Sequence, residues 1–249
     1  MSRAKYDVIG RTYSRTRRSD PRIFEQIVQA LGNAQTVVNV GAGTGSYEPD
    51  DRAVVSVEPS IEMIRQRPSH AAPIVQGDAT ALPFRDDSFD AALAVLTIHH
   101  WPDADRGIEE MKRVAPSRIV ISTHTITDLY DFWLTRDYFP ETIEKDLARF
   151  PTINHIKELV NTIAIETIPV PRDCKDGFLG AFWAEPEAYL DPNVRAGMST
   201  FPQLGPELVN ERIARLEEDI RSGLWDERNG YLRTLDEIDI GYRLIVATA

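Results

Sequence analysis

Residues 37–45 read Val37-Val38-Asn39-Val40-Gly41-Ala42-Gly43-Thr44-Gly45, a β-branched run that ends in three alternating glycines. The run favours a buried strand, and the glycines permit a tight turn that a bulky ligand can approach closely. Seventeen residues after Gly41 a second run, Val54-Val55-Ser56-Val57, ends in Glu58. A glycine turn after one strand and a carboxylate after the next is how α/β folds hold a nucleoside, with backbone against the ligand and the acid on the ribose hydroxyls.

Glycine spacing narrows the nucleoside. A dinucleotide fingerprint requires glycine at positions 41, 43 and 46, but position 46 is Ser and the third glycine is Gly45. No Gly-Lys-Ser/Thr follows, which excludes a P-loop. Two further stretches continue the pattern. Residues 73–84 (Pro-Ile-Val-Gln-Gly-Asp-Ala-Thr-Ala-Leu-Pro-Phe) read as a third strand running into Gly77-Asp78-Ala79. Residues 86–96 are a polar turn feeding a fourth apolar strand.

From the glycine turn to His124 these motifs, in this order, resemble the class I S-adenosylmethionine (SAM)-dependent methyltransferases, especially the branch that includes the quinone-biosynthesis enzymes. Beyond His124 the resemblance is architectural only. It implies a Rossmann-like, doubly wound α/β fold with a seven-stranded sheet of order 3-2-1-4-5-7-6, the last strand antiparallel. It also implies SAM as cofactor, held by Asn39, Gly41, Ala42, Gly43, Gly45, Glu58, Pro59, Met63, Asp78, Ala79 and Leu96. In that picture the glycines pass under the methionine moiety, Glu58 accepts from both ribose hydroxyls, and Asp78 accepts from the adenine amine. Met63 pads the adenine ring, although ordinary helix packing explains it equally well.

Tyr13 and Arg17 match a Tyr-x-x-x-Arg pattern of relatives whose N-terminal segment folds over the cofactor; a surface helix accounts for the same pair. Leu96-Thr97-Ile98-His99-His100-Trp101-Pro102 leaves the fourth strand where cofactor sulfur and acceptor meet in the family. One imidazole there is placed to take a proton from the acceptor, with His100 favoured over His99. The alternative is that both rings only shape the pocket. Trp133, Tyr138, Phe182, Trp183 and Tyr189 either line the acceptor pocket or belong to the core.

The pattern along the chain agrees with that architecture. Asp20-Pro21 is a helix start, followed by an apolar face of Ile23, Phe24, Ile27, Val28 and Leu31, and Gly32 stops the helix. Strands are expected at 36–40, 53–57, 73–76, 90–96 and 118–124, with helices near 46–50, 60–66 and 103–114, which implies a parallel sheet covered on both faces. Further on, the spacing predicts a helix at 153–164, an edge strand at 165–171, an amphipathic helix through Val209, Ile213, Leu216 and Ile220, and a final strand from Ile238. One domain is expected over 1–249: an N-terminal lid and first helix (1–34), a cofactor-binding core (35–124), an acceptor-side insert and cover (125–235) and the final strand (236–249).

Composition limits the partners. The chain has 249 residues and a net charge of −11, against a phosphate backbone as partner; Arg11, Arg15, Arg17 and Arg18 make too short a basic cluster for a nucleic-acid groove. The sole cysteine, Cys174, excludes an internal disulfide, and no apolar run is long enough to span a bilayer. Neither a metal nor a membrane is expected, and a cytoplasmic monomer or homodimer is. The expected function is methyl transfer from SAM to a small molecule at O, N or C. A SAM-binding regulatory protein without turnover is the rival from another class. A nicotinamide-dependent oxidoreductase is disfavoured by Ser46 and by the lack of a Tyr-x-x-x-Lys pair.

Overall fold

The computed structural model describes residues 17–125, 128 and 131–249. Helix α1 (Pro21–Leu31) begins where the sequence places it. Asp20 caps it by accepting the Arg22 amide at 3.0 Å, Pro21 occupies the first turn, and Gly32, at φ +57°, ends it. The buried Asp20 carboxylate also accepts from the Arg22 guanidinium and the Lys175 amide. Burial works against its charge, but these bonds outweigh it and hold its pKa down at about 2.

Six strands follow the chain as β1 (Thr36–Val40), β2 (Ala53–Glu58), β3 (Ile74–Gln76), β4 (Ala91–Val95), β5 (Ile119–His124) and β6 (Asn161–Thr167), and β7 (Tyr242–Thr248) closes the sheet. Their order is β3-β2-β1-β4-β5-β7-β6. β1 to β5 pair in parallel, while β7 inserts antiparallel to both neighbours, with Ser122 opposite Leu244 and His124 opposite Tyr242. This is the expected Rossmann-like arrangement.

The central strands are nearly all apolar because both faces are covered. On one face Ile23, Ile27 and Leu31 of α1 pack with Val37, Leu93 and Val120. On the other, Ile108, Met111 and Val114 of α3 (Ala104–Val114) pack with Val38, Ala92, Ile119 and Ile121. Each such fully buried aliphatic side chain contributes about 1.5–3 kcal/mol. Between them lies the short α2 (Ile61–Arg65), capped by Ser60, whose Oγ accepts the Met63 amide.

Three local expectations are corrected. Residues 46–50 form a turn rather than a helix. Gly45 (φ +96°) and Tyr47 (φ +61°) both take positive φ, which no right-handed helix accommodates. The helix at 153 ends at Leu159 (α5, Ile153–Leu159, after α4, Glu141–Leu147), and the edge strand starts four residues earlier than expected, at Asn161. Alternating β-branched residues, with Ile163 and Ile165 outward, make 161–167 a strand. Val170–Pro171 pairs instead with Glu237–Ile238 in a separate two-stranded ribbon, so the final strand begins only after Gly241.

The segment between β6 and β7 is helical: α6 (Pro192–Ala196), α7 (Phe201–Leu204), α8 (Pro206–Ser222) and α9 (Leu224–Asn229). Its interior is aromatic. Trp133 packs edge-on against Tyr138, Tyr189 and Trp225, and its Nε1 donates to the Trp183 carbonyl. Trp133, Tyr138, Trp183 and Tyr189 are almost wholly buried. Of the two readings open for these rings, the core is the one the packing favours; Phe182 packs partly buried beside them.

Candidate active site

The C-terminal edge of the parallel strands collects the turns after β1, β2, β3 and β4, as Rossmann-like topology requires. The glycine turn is built on β2. The amides of Gly41 and Ala42 both donate to the Val57 carbonyl, at 2.8 and 3.1 Å. Gly41 (φ +74°) allows no side chain, since a Cβ there would lie 2.1 Å from Thr97 Oγ1. The turn after β1 therefore touches the segment after β4, and the two halves of the site share a wall.

Glu58 closes the turn from beneath. It is buried, and its Oε2 accepts the Gly43 amide while Oε1 accepts the Ser60 amide, both at 2.9 Å. An ionised carboxylate has acceptor capacity beyond these two bonds. Pro59 follows, its carbonyl accepting from Gln76 Nε2. Met63 is buried against the turn, its Cε 3.3 Å from where a Cβ on Gly43 would stand. Asp78 forms a local turn in which Oδ1 accepts the Thr80 amide and hydroxyl, and Ala79 is buried beside it. Leu96 has φ +50°, and its amide donates to the Ser122 carbonyl.

Asn39 donates from Nδ2 to Glu48 Oε1 at 3.3 Å, and Glu48 packs against Gly45 of the turn. Glu48 and Arg67 form a buried ion pair at 2.7 Å, into which Ser56 and the Ala72 amide also bond. Arg67 in turn reaches the Gly43 carbonyl. This polar network props up the glycine turn, and Glu48 and Arg67 had no motif to announce them. A buried pair of this kind is a positioning device more than a source of stability.

Tyr13 lies outside the described residues. Arg17 makes a two-pronged pair with buried Asp176, its Nε at 2.6 Å and Nη2 at 3.1 Å from the two carboxylate oxygens. Tyr47 donates its hydroxyl to the same carboxylate at 3.1 Å. Burial and then the Asp176 charge push the Tyr47 phenol far above its ordinary pKa, so it stays a donor. Arg17, expected on the cofactor's carboxylate, thus holds a carboxylate of the protein in this structure.

His99 and His100 form a 3-10 turn with Ile98, their ring centroids 3.8 Å apart. His99 stacks on Phe150 at 4.0 Å, and Phe150 also meets His124 of β5 at 4.1 Å. His124 packs near Tyr242 of β7, and its Nε2 is enclosed without a hydrogen-bond partner among the described residues. Burial drives the His124 pKa down to about 3, so its ring is neutral. Arg149, beside Phe150, places Nη2 3.2 Å from His100 Nδ1. Sequence reading paired the two adjacent histidines, but His124, Arg149, Phe150 and Tyr242 join them only through the fold.

A glycine turn without room for a Cβ, a buried carboxylate after β2 and a second acid after β3 fit the adenosine and methionine parts of SAM, and the arrangement defines a nucleoside-binding Rossmann-like enzyme fold. The methyltransferase-domain family model matches residues 38–118. The crystal structure of a putative methyltransferase from an antibiotic biosynthesis pathway of Anabaena variabilis is 33% identical, covering 92% of this chain and 98% of that one with a TM-score of 0.84. A demethylmenaquinone methyltransferase of Paenarthrobacter aurescens is 34% identical over 59% of this chain and 60% of its own length. A mouse tRNA (carboxymethyluridine(34)-5-O)-methyltransferase is 30% identical over 44% of this chain but only 17% of its own length. The chain thus spans less than two thirds of these curated relatives. It belongs to the class I SAM-dependent methyltransferases, whose cofactor is SAM.

Proposed function

We propose that this chain transfers a methyl group from SAM to a small-molecule acceptor bound against the His99–His100 turn. The observation that carries the reading is the roof over that edge. Phe150, 7% exposed, lies across His99 and His124, so an acceptor there meets aromatic and imidazole surfaces under a cover. A polynucleotide needs an extended cationic face, and the net charge of −11 opposes it. The resemblance to an enzyme named for demethylmenaquinone points the same way.

SAM supplies a methyl already activated by its sulfonium. The protein's work is then alignment and exclusion of water, where well-oriented groups gain up to about 7–11 kcal/mol over free encounter. Glu58 takes the ribose hydroxyls, Asp78 and the Ala79 amide take the adenine, and Gly41, Gly43 and Gly45 admit the methionine portion. Thr97, against Gly41, sets the distance between the glycine turn and the histidine turn.

Release of S-adenosylhomocysteine (SAH) over a panel of quinols, phenols, amines and unmodified tRNA tests the proposal. Turnover with a small molecule is expected. Turnover with tRNA alone would overturn the acceptor class, and SAH binding without any turnover would favour a regulatory protein.

A further inference from the structure

We infer that the acceptor carries an oxyanion, a carboxylate or a phosphate ester, and that the Arg149 guanidinium holds it beside the histidine turn. This rests on the proposed location of the acceptor and adds its charge.

Arg67, Arg113, Arg212, Arg233 and Arg243 each hold a carboxylate of the protein at 2.6–2.8 Å. Arg149 does not. Its Nη1 donates to the Gln203 amide oxygen on α7, and its Nη2 lies 3.2 Å from His100 Nδ1. Neither partner bears a negative charge. A guanidinium has five N–H donors and no acceptor, so these two contacts leave donors of Arg149 without a protein partner among the described residues. Lys145 grips the same neutral residue, its ammonium donating to the Gln203 carbonyl.

The surrounding acids are engaged elsewhere or bond Arg149 only through the backbone. On its own helix Glu141 pairs with Arg212, while Glu144 and Asp146 offer residues 148–150 their backbone carbonyls and no carboxylate bond. Along the acceptor edge Asp103 caps α3 by accepting the Arg106 amide, Asp105 is held by His155, and Asp128 is held by Arg243. A half-buried cation is thus left with neutral protein partners at the rim of the acceptor site.

Placement does the rest. Phe150, the next residue, stacks on His99 at 4.0 Å and meets His124 at 4.1 Å, so the guanidinium stands at the edge of the aromatic cover. An acceptor with an apolar body under Phe150 and an oxyanion at its end meets packing surface and cation together. The planar fork of a guanidinium matches the paired oxygens of a carboxylate or a phosphate.

Binding of small probes to the SAH-loaded protein tests this without requiring turnover. Benzoate, phenyl phosphate and benzyl alcohol share an apolar ring and differ in charge. At least one of the two anions should bind about tenfold or more tightly than benzyl alcohol, as a hydrogen bond to a charged group warrants, and should shift histidine ring signals in a nitrogen-15 spectrum. The tighter anion distinguishes a carboxylate from a phosphate source. Arg149→Met should bring both anions down to the level of benzyl alcohol with SAH affinity unchanged, and Arg149→Lys, which keeps the charge but not the fork, should fall between. Anions that bind no better than benzyl alcohol, including no binding at all, would overturn the inference. So would anion binding that leaves the histidine signals unmoved, or a preference that survives Arg149→Met. The wild-type comparison decides the matter even where a variant fails to fold. Arg149-dependent anion binding in a protein that methylates no small molecule would sink the proposed function and leave this site standing. Turnover of neutral acceptors that is unchanged in Arg149→Met would do the reverse.

Discussion

Removing the Glu58 carboxylate separates two roles that the sequence alone merges. Sequence reasoning places Glu58 on the ribose and expects the fold to survive its loss. The structure gives the same carboxylate a structural duty, because it accepts the Gly43 amide and the Ser60 amide at 2.9 Å each. The Ser60 amide is buried, Ser60 being the fully buried cap of α2, and the Gly43 amide is half-buried. In Glu58→Ala each loses an ionised acceptor. A buried donor left unsatisfied costs about 1–3 kcal/mol, which applies in full to the Ser60 amide and in part to the half-buried Gly43 amide. Water entering the space left by the carboxylate offsets part of this, so about 3 kcal/mol is expected. That is a large share of the 5–15 kcal/mol by which a domain is stable.

Urea unfolding of the cofactor-free protein measures this cost, and calorimetry with SAH measures the second one. A carboxylate that accepts from ribose hydroxyls should add about 1.5–3 kcal/mol, or at least tenfold in affinity. Glu58→Gln keeps the size but turns an amide NH2 toward one of the two backbone donors, so its stability should fall between alanine and wild type. If cofactor-free Glu58→Ala unfolds at the wild-type urea concentration with an unchanged slope, the bracing role is wrong. If it is less stable yet binds SAH as tightly as wild type, the ribose role is wrong and the bracing role stands.

Gly41→Ala should cost about 2–4 kcal/mol, from the left-handed backbone and from the displacement of Thr97, and should weaken SAH binding as well; thermal unfolding within 1 °C of wild type would contradict this. His124 should make the protein acid-sensitive. Its folded pKa of about 3 lies below the unfolded value near 6.5, so between these values the unfolded chain binds a proton that the native ring does not, and stability falls as pH falls. From pH 8 to pH 5 this amounts to about 2 kcal/mol. His124→Asn should lose that part of the slope in urea titrations at the two pH values, and an identical slope in both proteins would refute the burial argument.

The parts legible in the sequence are those whose causes are local. Asp20-Pro21 and Gly32 bound a helix by backbone chemistry within a few residues, and the glycine turn and Glu58 follow directly from strand ends. Residues 46–50 were misread because Tyr47's left-handed backbone has its reason elsewhere: its hydroxyl reaches Asp176, 129 residues away. The histidine turn was visible as a pair, but Arg149 sits 49 residues beyond His100, and no spacing rule joins a short helix end to a strand end. Glu48 and Arg67 were silent because a buried ion pair and a solvated one read alike until burial is known.

The polar anchors at the rim of the cover tie it to the sheet and to the turns at its edge. The family match ends at residue 118, before His124, Arg149, Phe150 and Tyr242. What lies beyond must still be registered against the core to within a fraction of an ångström, because methyl transfer in line tolerates little error. An aromatic interior such as that around Trp133 holds the cover together but fixes no register with the glycine turn. Register comes from directional bonds: Asp176 to Tyr47, the Lys175 amide to Asp20, and Arg149 to His100. The first lands beside the glycine turn, the second at the start of α1 and the third on the histidine turn. On the proposed acceptor site, substitutions at Phe150 are expected to change the surface beside the histidine turn and to affect acceptor use more than cofactor binding.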